Sequence, residues 1–175
     1  DDTTMKVLSH IRDPEAERKG VFTTGLVSRF RDHTVALFRT GDRHAGENLT
    51  DLLSRRKTGI GPPIQMCDAL SRNASKEFET IMSNCLAHAR RQFVEIIDSF
   101  PDECAYVIER LGTVYHHDAI AKPMTKEQRL SYHRIHSAPV MEDLKRWCET
   151  GIREKTVEPN SGLGKAIQYM LKRWD

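Results

Sequence analysis

The sequence predicts a mixed α/β protein, rich in strands in its first half and helical in its second. Three observations carry this expectation. Short segments rich in Val, Leu, Phe and Thr at 5–9, 20–30 and 33–40 are separated by polar links such as Arg12-Asp13-Pro14-Glu15 and Arg31-Asp32, which is the pattern of strands in hairpin order. Beyond His88 the apolar residues recur every three and four positions instead, as they do on a helix with one buried face. Finally, Asp1 and Asp68 each stand where an apolar, strand-like run meets a polar stretch.

In the first half, Val21-Phe22-Thr23-Thr24-Gly25-Leu26-Val27 and Thr34-Val35-Ala36-Leu37-Phe38 are the clearest strands, and the Arg31-Asp32 link is short enough for a tight hairpin. After Gly41, Leu49, Leu52 and Leu53 share one helical face over 47–56, and the glycines and prolines of 57–63 end that helix. An apolar strand at 64–67 carries Asp68 at its end. A short helix is expected at 76–80 and a fifth strand at 81–86.

In the second half, Phe93, Ile96 and Ile97 share a helical face. Cys104, Val107, Ile108, Leu111, Val114 and Tyr115 mark the next helix, with Pro101 suited to its first turn. Further helices are expected at 126–136 and 140–148, broken by Pro123, Pro139 and Gly151. A last helix should start near Ser161 and run towards Trp174, packing on the sheet through Leu163, Ile167 and Met170 or Leu171, with Lys165 and Lys172 outside.

At 175 residues the chain is long enough for one domain with a core, or a core plus a modest lobe. Its 38% apolar and 30% charged residues describe a folded chain, not a disordered one. There is no apolar run of the roughly 20 residues a membrane helix needs and no signal segment, so a cytoplasmic location is expected. The opening at Asp1, inside a strand-like run, is expected of a piece of a longer protein. A net charge of +2 does not by itself announce a nucleic-acid binder. Arg29 and Arg31, Arg39 and Arg43, Arg55-Arg56-Lys57, Arg90-Arg91 and Lys172-Arg173 would make a phosphate-facing surface if the fold gathered them; read singly, each is an ordinary solvated cluster. Cys67, Cys85, Cys104 and Cys148 are widely spaced, without a Cys-x-x-Cys pair, and are expected to be free thiols.

Carboxylates presented by neighbouring strands suit a hard cation such as Mg²⁺ or Mn²⁺, which prefers oxygen ligands and, in pairs, can activate a nucleophile and stabilise a leaving oxygen. Other readings compete. Cys85-Leu86-Ala87-His88 invites a Cys/His nucleophile or a zinc site, but residues three apart after a strand need not share a face, and zinc needs further ligands. His133 and His136, one helical turn apart, could bind a metal, although histidines so placed more often face solvent. Trp147, Tyr169 and Trp174 sit at helical positions and read as core rather than as base-stacking platforms.

The stretch 82–93, Met-Ser-Asn-Cys-Leu-Ala-His-Ala-Arg-Arg-Gln-Phe, together with the opening Asp1-Asp2-Thr3 and the closing Gly164-Lys165-Ala166-Ile167-Gln168-Tyr169-Met170-Leu171-Lys172-Arg173-Trp174, resembles the transposases of the insertion sequence sixty-six family. The resemblance runs from one end of the chain to the other. It implies a ribonuclease H-like fold, which the order of the expected elements also fits: an α/β (α+β) mixed sheet of about five strands with flanking helices, plus an all-α insertion. Residues 1–100 would form the core, 101–159 the helical insertion and 160–175 the start of a returning core helix. In that fold the first and fourth strands lie side by side, which would bring Asp1 and Asp68 together.

The resemblance further implies DNA cleavage and joining by two-metal phosphoryl transfer, with Mg²⁺ or Mn²⁺ held by two Asp and one Glu. Asp1 and Asp68 would be the two Asp ligands. His88, Arg90 and Arg91 would form a motif at the edge of the site, the arginines on phosphate. Transposon ends and target DNA would be the partners, and a homo-oligomer the working form. The chain departs from the family pattern at Asp2, where Glu is usual, and at Ala69-Leu70, where Gly-Tyr usually follows the second Asp. The third carboxylate belongs to a downstream Asp-Asn-Asn context; Glu149, Glu154 and Glu158 do not match its position, so an incomplete site is expected. Two rivals remain: a noncatalytic DNA-binding or interaction module derived from a decayed transposase, and a ribonuclease H-like nuclease that completes its site differently.

Overall fold

The computed structural model describes residues 2–4, 20–68 and 70–174, and the chain divides into two compact units, Asp1–Cys85 and Leu86–Asp175. Asp1 and the strand expected at 5–9 lie outside the described residues.

The first unit holds two small sheets. β1 (Asp2–Thr4), β2 (Phe22–Phe30) and β3 (His33–Gly41) form an antiparallel sheet in the order β1-β2-β3. In register, Asp2 stands opposite Thr24 and Phe30 opposite His33. The Arg31-Asp32 turn closes the hairpin with Arg31 at φ 53°, a left-handed conformation that costs a non-glycine residue about 1 kcal/mol. β4 (Ile64–Cys67) and β5 (Ile81–Asn84) form a separate parallel pair, Ile64 opposite Ile81 and Cys67 opposite Asn84. A parallel pair requires a crossover of a dozen or more residues, and 68–80 provides it. The helix expected at 76–80 is absent: that stretch is bends and loop, and a single 3-10 turn lies earlier, at Ser71–Asn73. The fifth strand ends at Asn84 rather than at 86, because a helix starts at Leu86.

The single five-stranded sheet is not formed among the described residues. β1 spends its described length pairing with β2, β4 pairs with β5, and no hydrogen-bonded ladder joins the two sheets.

α1 (Ala45–Ser54) starts earlier than its leucine pattern indicates, and the residues it buries are Ala45, Gly46 and Asn48. Leu52 stays 37% exposed. Small and polar residues take the inner face because α1 approaches backbone and a buried hydroxyl there: a Cβ on Gly46 would lie 2.2 Å from the Ala74 carbonyl oxygen. Val27, Phe38, Ile64 and Met66 remain exposed on the strands.

The second unit is helical: α2 (Leu86–Val94), α3 (Pro101–Ala121), α4 (Lys126–Arg153) and α5 (Gly162–Leu171). Its core gathers Phe93, Val107, Leu111, Leu144 and Ile167 with the thiols of Cys104 and Cys148. Burial pushes the Cys148 thiol up to about 12, with Glu149 adding to the shift, so it behaves as a small hydrophobe and not as a nucleophile. All four cysteines are free. Pro101 occupies the first turn of α3, and the Ser161 hydroxyl accepts from the Gly164 amide to cap α5. Leu163, Ile167 and Met170 are buried and Lys165 and Lys172 exposed, while α5 packs on α2 and α4. Trp147, Tyr169 and Trp174 pack against this core. The breaks expected at Pro139 and Gly151 do not occur; α4 is continuous through both. Among the described residues no helix is long and apolar enough to cross a membrane.

Candidate functional site

The crossover between β4 and β5 presents Asp68 at the carboxyl end of β4. Its Oδ1 accepts from the Leu70 amide at 3.1 Å and from Asn73 Nδ2 at 2.6 Å. The first bond is an Asx turn, in which an Asp side chain caps the backbone two residues on; the second ties the carboxylate to the far end of the 3-10 turn. Asn73 is itself fixed. It is 3% exposed, its amide donates to the Leu70 carbonyl at 2.9 Å, and its carbonyl accepts from Gln65 Nε2 at 2.7 Å. Gln65 Oε1 accepts in turn from the Thr80 hydroxyl at 3.2 Å. The loop is therefore braced from β4 at its 3-10 turn and at its far end, and the half-buried Asp68 carboxylate has a defined direction.

α1 provides the outer support. Gly46 meets the Ala74 and Arg72 carbonyl oxygens, which a Cβ would approach to 2.2 and 2.7 Å, and the Thr50 and Ser75 hydroxyls share a hydrogen bond at 2.9 Å. On the same helix Asn48 Nδ2 donates to Thr24 Oγ1 at 2.9 Å. One helix thus contacts the loop that follows Asp68 and the β2 residue whose register partner is Asp2.

Of the sequence-predicted site residues, Asp68 has the setting just described, and Asp1 lies outside the described residues. His88, Arg90 and Arg91 lie on α2, in the second unit. Ala89 and Phe93 face the core, which leaves Arg90 and Arg91 exposed. His88 is half-buried, and its Nδ1 has no hydrogen-bond partner among the described residues. Other basic residues have local duties: Arg39 and Arg55 pair with Asp51 at 2.5 and 3.2 Å, and Arg56 donates to the Gly61 carbonyl at 2.6 Å. Among the described residues no three of His, Cys, Asp and Glu come together as a metal-ligand group, so neither Cys85 with His88 nor His133 with His136 completes a zinc site.

The residues that the sequence reading missed are Gly46, Gln65 and Asn73. Their roles rest on contacts across the loop, and no local pattern marks them. Asp68 presents one oriented carboxylate, an oxygen donor of the type that hard cations take.

The comparisons with known proteins agree with the resemblance seen in the sequence. The model of the Transposase IS66 family matches residues 1–175. The chain is 32% identical over 107 residues to the uncharacterized protein y4jD of Sinorhizobium fredii, a match covering 61% of the chain and 20% of that relative. No solved structure matches it. A family match along the whole sequence, on a mixed α/β chain with an oriented Asp at a strand end, leads to one conclusion: the chain belongs to the IS66 family of transposases.

Proposed function

We propose that this chain is part of the catalytic core of a DNA transposase, in which Asp1 and Asp68 are metal ligands for strand cleavage and joining. The observation that carries the reading is the Asp68 carboxylate, oriented at the end of β4 by two protein donors. Pre-orientation of this kind keeps a ligand from having to order itself on binding. Mg²⁺ or Mn²⁺, when bound, supplies a Lewis acid for phosphodiester chemistry. Asn73 and the Leu70 amide orient the carboxylate, and α1 holds the loop in place. Arg90 and Arg91 are exposed, as residues that contact DNA phosphates must be, and His88 belongs to the same motif.

A ribonuclease H-like sheet is part of the proposal. The two observed sheets, β1-β2-β3 and β4-β5, are separate; pairing of β1 with β4 would give the order 3-2-1-4-5 and set the ends of both Asp-bearing segments side by side. The regions 1–100, 101–159 and 160–175 would then be core, helical insertion and returning helix. Transposon ends and target DNA are the partners, a homo-oligomer the working form, and the cytoplasm the place of action.

A second reading draws on a specific observation. The chain departs from the family pattern at Asp2 and at Ala69-Leu70, as a noncatalytic module from a decayed transposase would. Asp68→Asn separates the two, because an amide oxygen still accepts from Leu70 and Asn73 while the negative charge is lost. In a longer protein that carries the downstream Glu, the substitution should reduce metal-dependent cleavage at least about a hundredfold and leave DNA binding near the original level. Unchanged cleavage by that variant and by Asp1→Asn would reject the assignment, and a longer protein that never cleaves would favour the noncatalytic module.

A further inference from the structure

Four of the chain's eight histidines, His116, His117, His133 and His136, gather where α3 faces α4. The proposed chemistry uses none of them. Ser137, 6% exposed, lies at the centre: its Oγ is 2.9 Å from His133 Nδ1 and 3.3 Å from His117 Nδ1. On its other side His133 Nε2 is 3.5 Å from Asp118 Oδ1, the oxygen that also receives Arg129. The Tyr132 ring lies tilted against His136 at 4.3 Å and meets the His117 ring edge-on at 6.0 Å.

A hydroxyl has one proton to give. It can donate to only one of the two Nδ1 atoms and must accept from the other. Asp118 decides which. A neutral His133 facing a carboxylate keeps its proton on Nε2, so its Nδ1 accepts from Ser137, and Ser137 accepts from a His117 protonated on Nδ1. When His133 is charged it donates from both nitrogens. The Ser137 hydroxyl must then turn to His117 Nδ1, and the His117 proton must sit on Nε2.

We propose that Asp118, His133, Ser137 and His117 form a proton-responsive relay across the α3–α4 contact, in which charging His133 reverses the Ser137 hydroxyl and switches the His117 tautomer, and a second proton loosens the contact. The groups that face His117 are His116 on its own helix and Tyr132, His133 and His136 from α4, while Asp118, itself paired with Arg129, faces His133. Burial pushes the His117 imidazole below its ordinary 6.5, and charge on His136, His116 and His133 pushes the same way. The unfolded chain therefore takes up more protons than the folded one just below pH 6.5. Stability is held above that value and lost as the pH falls through the folded value. Asp118, His133 and Ser137 have the residue types of a hydrolytic triad, but the serine is buried, out of reach of a substrate carbonyl.

The test is nitrogen NMR of the imidazoles in the whole 175-residue chain, titrated from about pH 8 to about pH 5. The neutral His117 should show its proton on Nδ1 while His133 is neutral and on Nε2 once His133 is charged. Ser137→Ala should uncouple the two rings, and Asp118→Asn, at a half-exposed position, should remove the Nδ1 preference of His117 even if the serine variant fails to fold. Thermal melting should fall from pH 7.5 to pH 5.5 by several degrees more in the original chain than in His117→Gln. A His117 that keeps one tautomer throughout and titrates without reference to His133 would overturn the proposal, as would Asp118→Asn leaving that tautomer unchanged.

Discussion

Asn48 on α1 donates from Nδ2 to the buried hydroxyl of Thr24 on β2 at 2.9 Å. Asn48 and Thr24 are 6% and 0% exposed, so the bond exists away from water, where losing one partner of a polar pair is costly. Asn48→Ala should destabilise the first unit by about 1–3 kcal/mol, measured by denaturant unfolding. Thr24→Val alone should cost less, because Asn48 Nδ2 retains the Arg43 carbonyl at 3.4 Å. The double variant should show a coupling of about 1 kcal/mol. Strict additivity would mean that the two side chains do not act as a pair.

Gly46 is where α1 meets the loop that orients Asp68. A methyl group there would stand 2.2 Å from one backbone oxygen and 2.7 Å from another, and neither is the end of a flexible side chain. Gly46→Ala should cost about 1–3 kcal/mol, the usual range for overpacking, and should move the Leu70 and Asn73 amide resonances by displacing the loop. A variant with full stability and unshifted amides would show that α1 does not set the loop's position.

Asp51 gives a pH prediction of definite sign. The hydrogen bond from Arg39 holds its carboxyl below the ordinary 3.8, burial works against this, and Arg55 adds to the lowering. A carboxylate lowered in the folded state stabilises above 3.8 and loses that contribution as the pH falls through the folded value. The stability difference between the original chain and Asp51→Asn should be constant near neutrality and close as the pH drops below about 3.8. Curves that stay parallel through the acid limb would show that the Arg39 contact adds nothing.

Much of the architecture was legible because its signals are local. The Arg31-Asp32 turn between alternating strands marked the hairpin, Pro101 and Ser161 marked two helix starts, and Leu163, Ile167 and Met170 marked the buried face of α5. Asp68 was legible as the end of a strand and, through the family resemblance, as a ligand candidate. What orients it was not: Asn73 and Gln65 act on it through bonds that depend on how the crossover closes. The inner face of α1 was misread for a related reason. Leucine spacing ranked hydrophobicity, whereas the packing selected Gly46 and Asn48 for size and hydrogen bonding.

Pro139 is the sharpest conflict between local rule and tertiary packing, since α4 runs unbroken through it from Lys126 to Arg153. A proline inside a helix lacks the N–H that would bond four residues back, and its ring crowds that carbonyl, at a cost of about 3 kcal/mol. Both halves of α4 are independently secured. Thr125 and Gln128 cap its start, while Leu144 and Cys148, both 0% exposed, hold the later half in the core. Burying one leucine yields about 1.5–3 kcal/mol, comparable to the proline penalty, so a continuous helix along α3 outweighs the break that the local rule favours. Pro139→Ala should therefore raise stability by about 1–3 kcal/mol, seen as a higher melting temperature with unchanged helical signal, and its new amide should be protected from hydrogen exchange. A loss of stability would instead show that α3 and α4 fit only when α4 is bent at this residue.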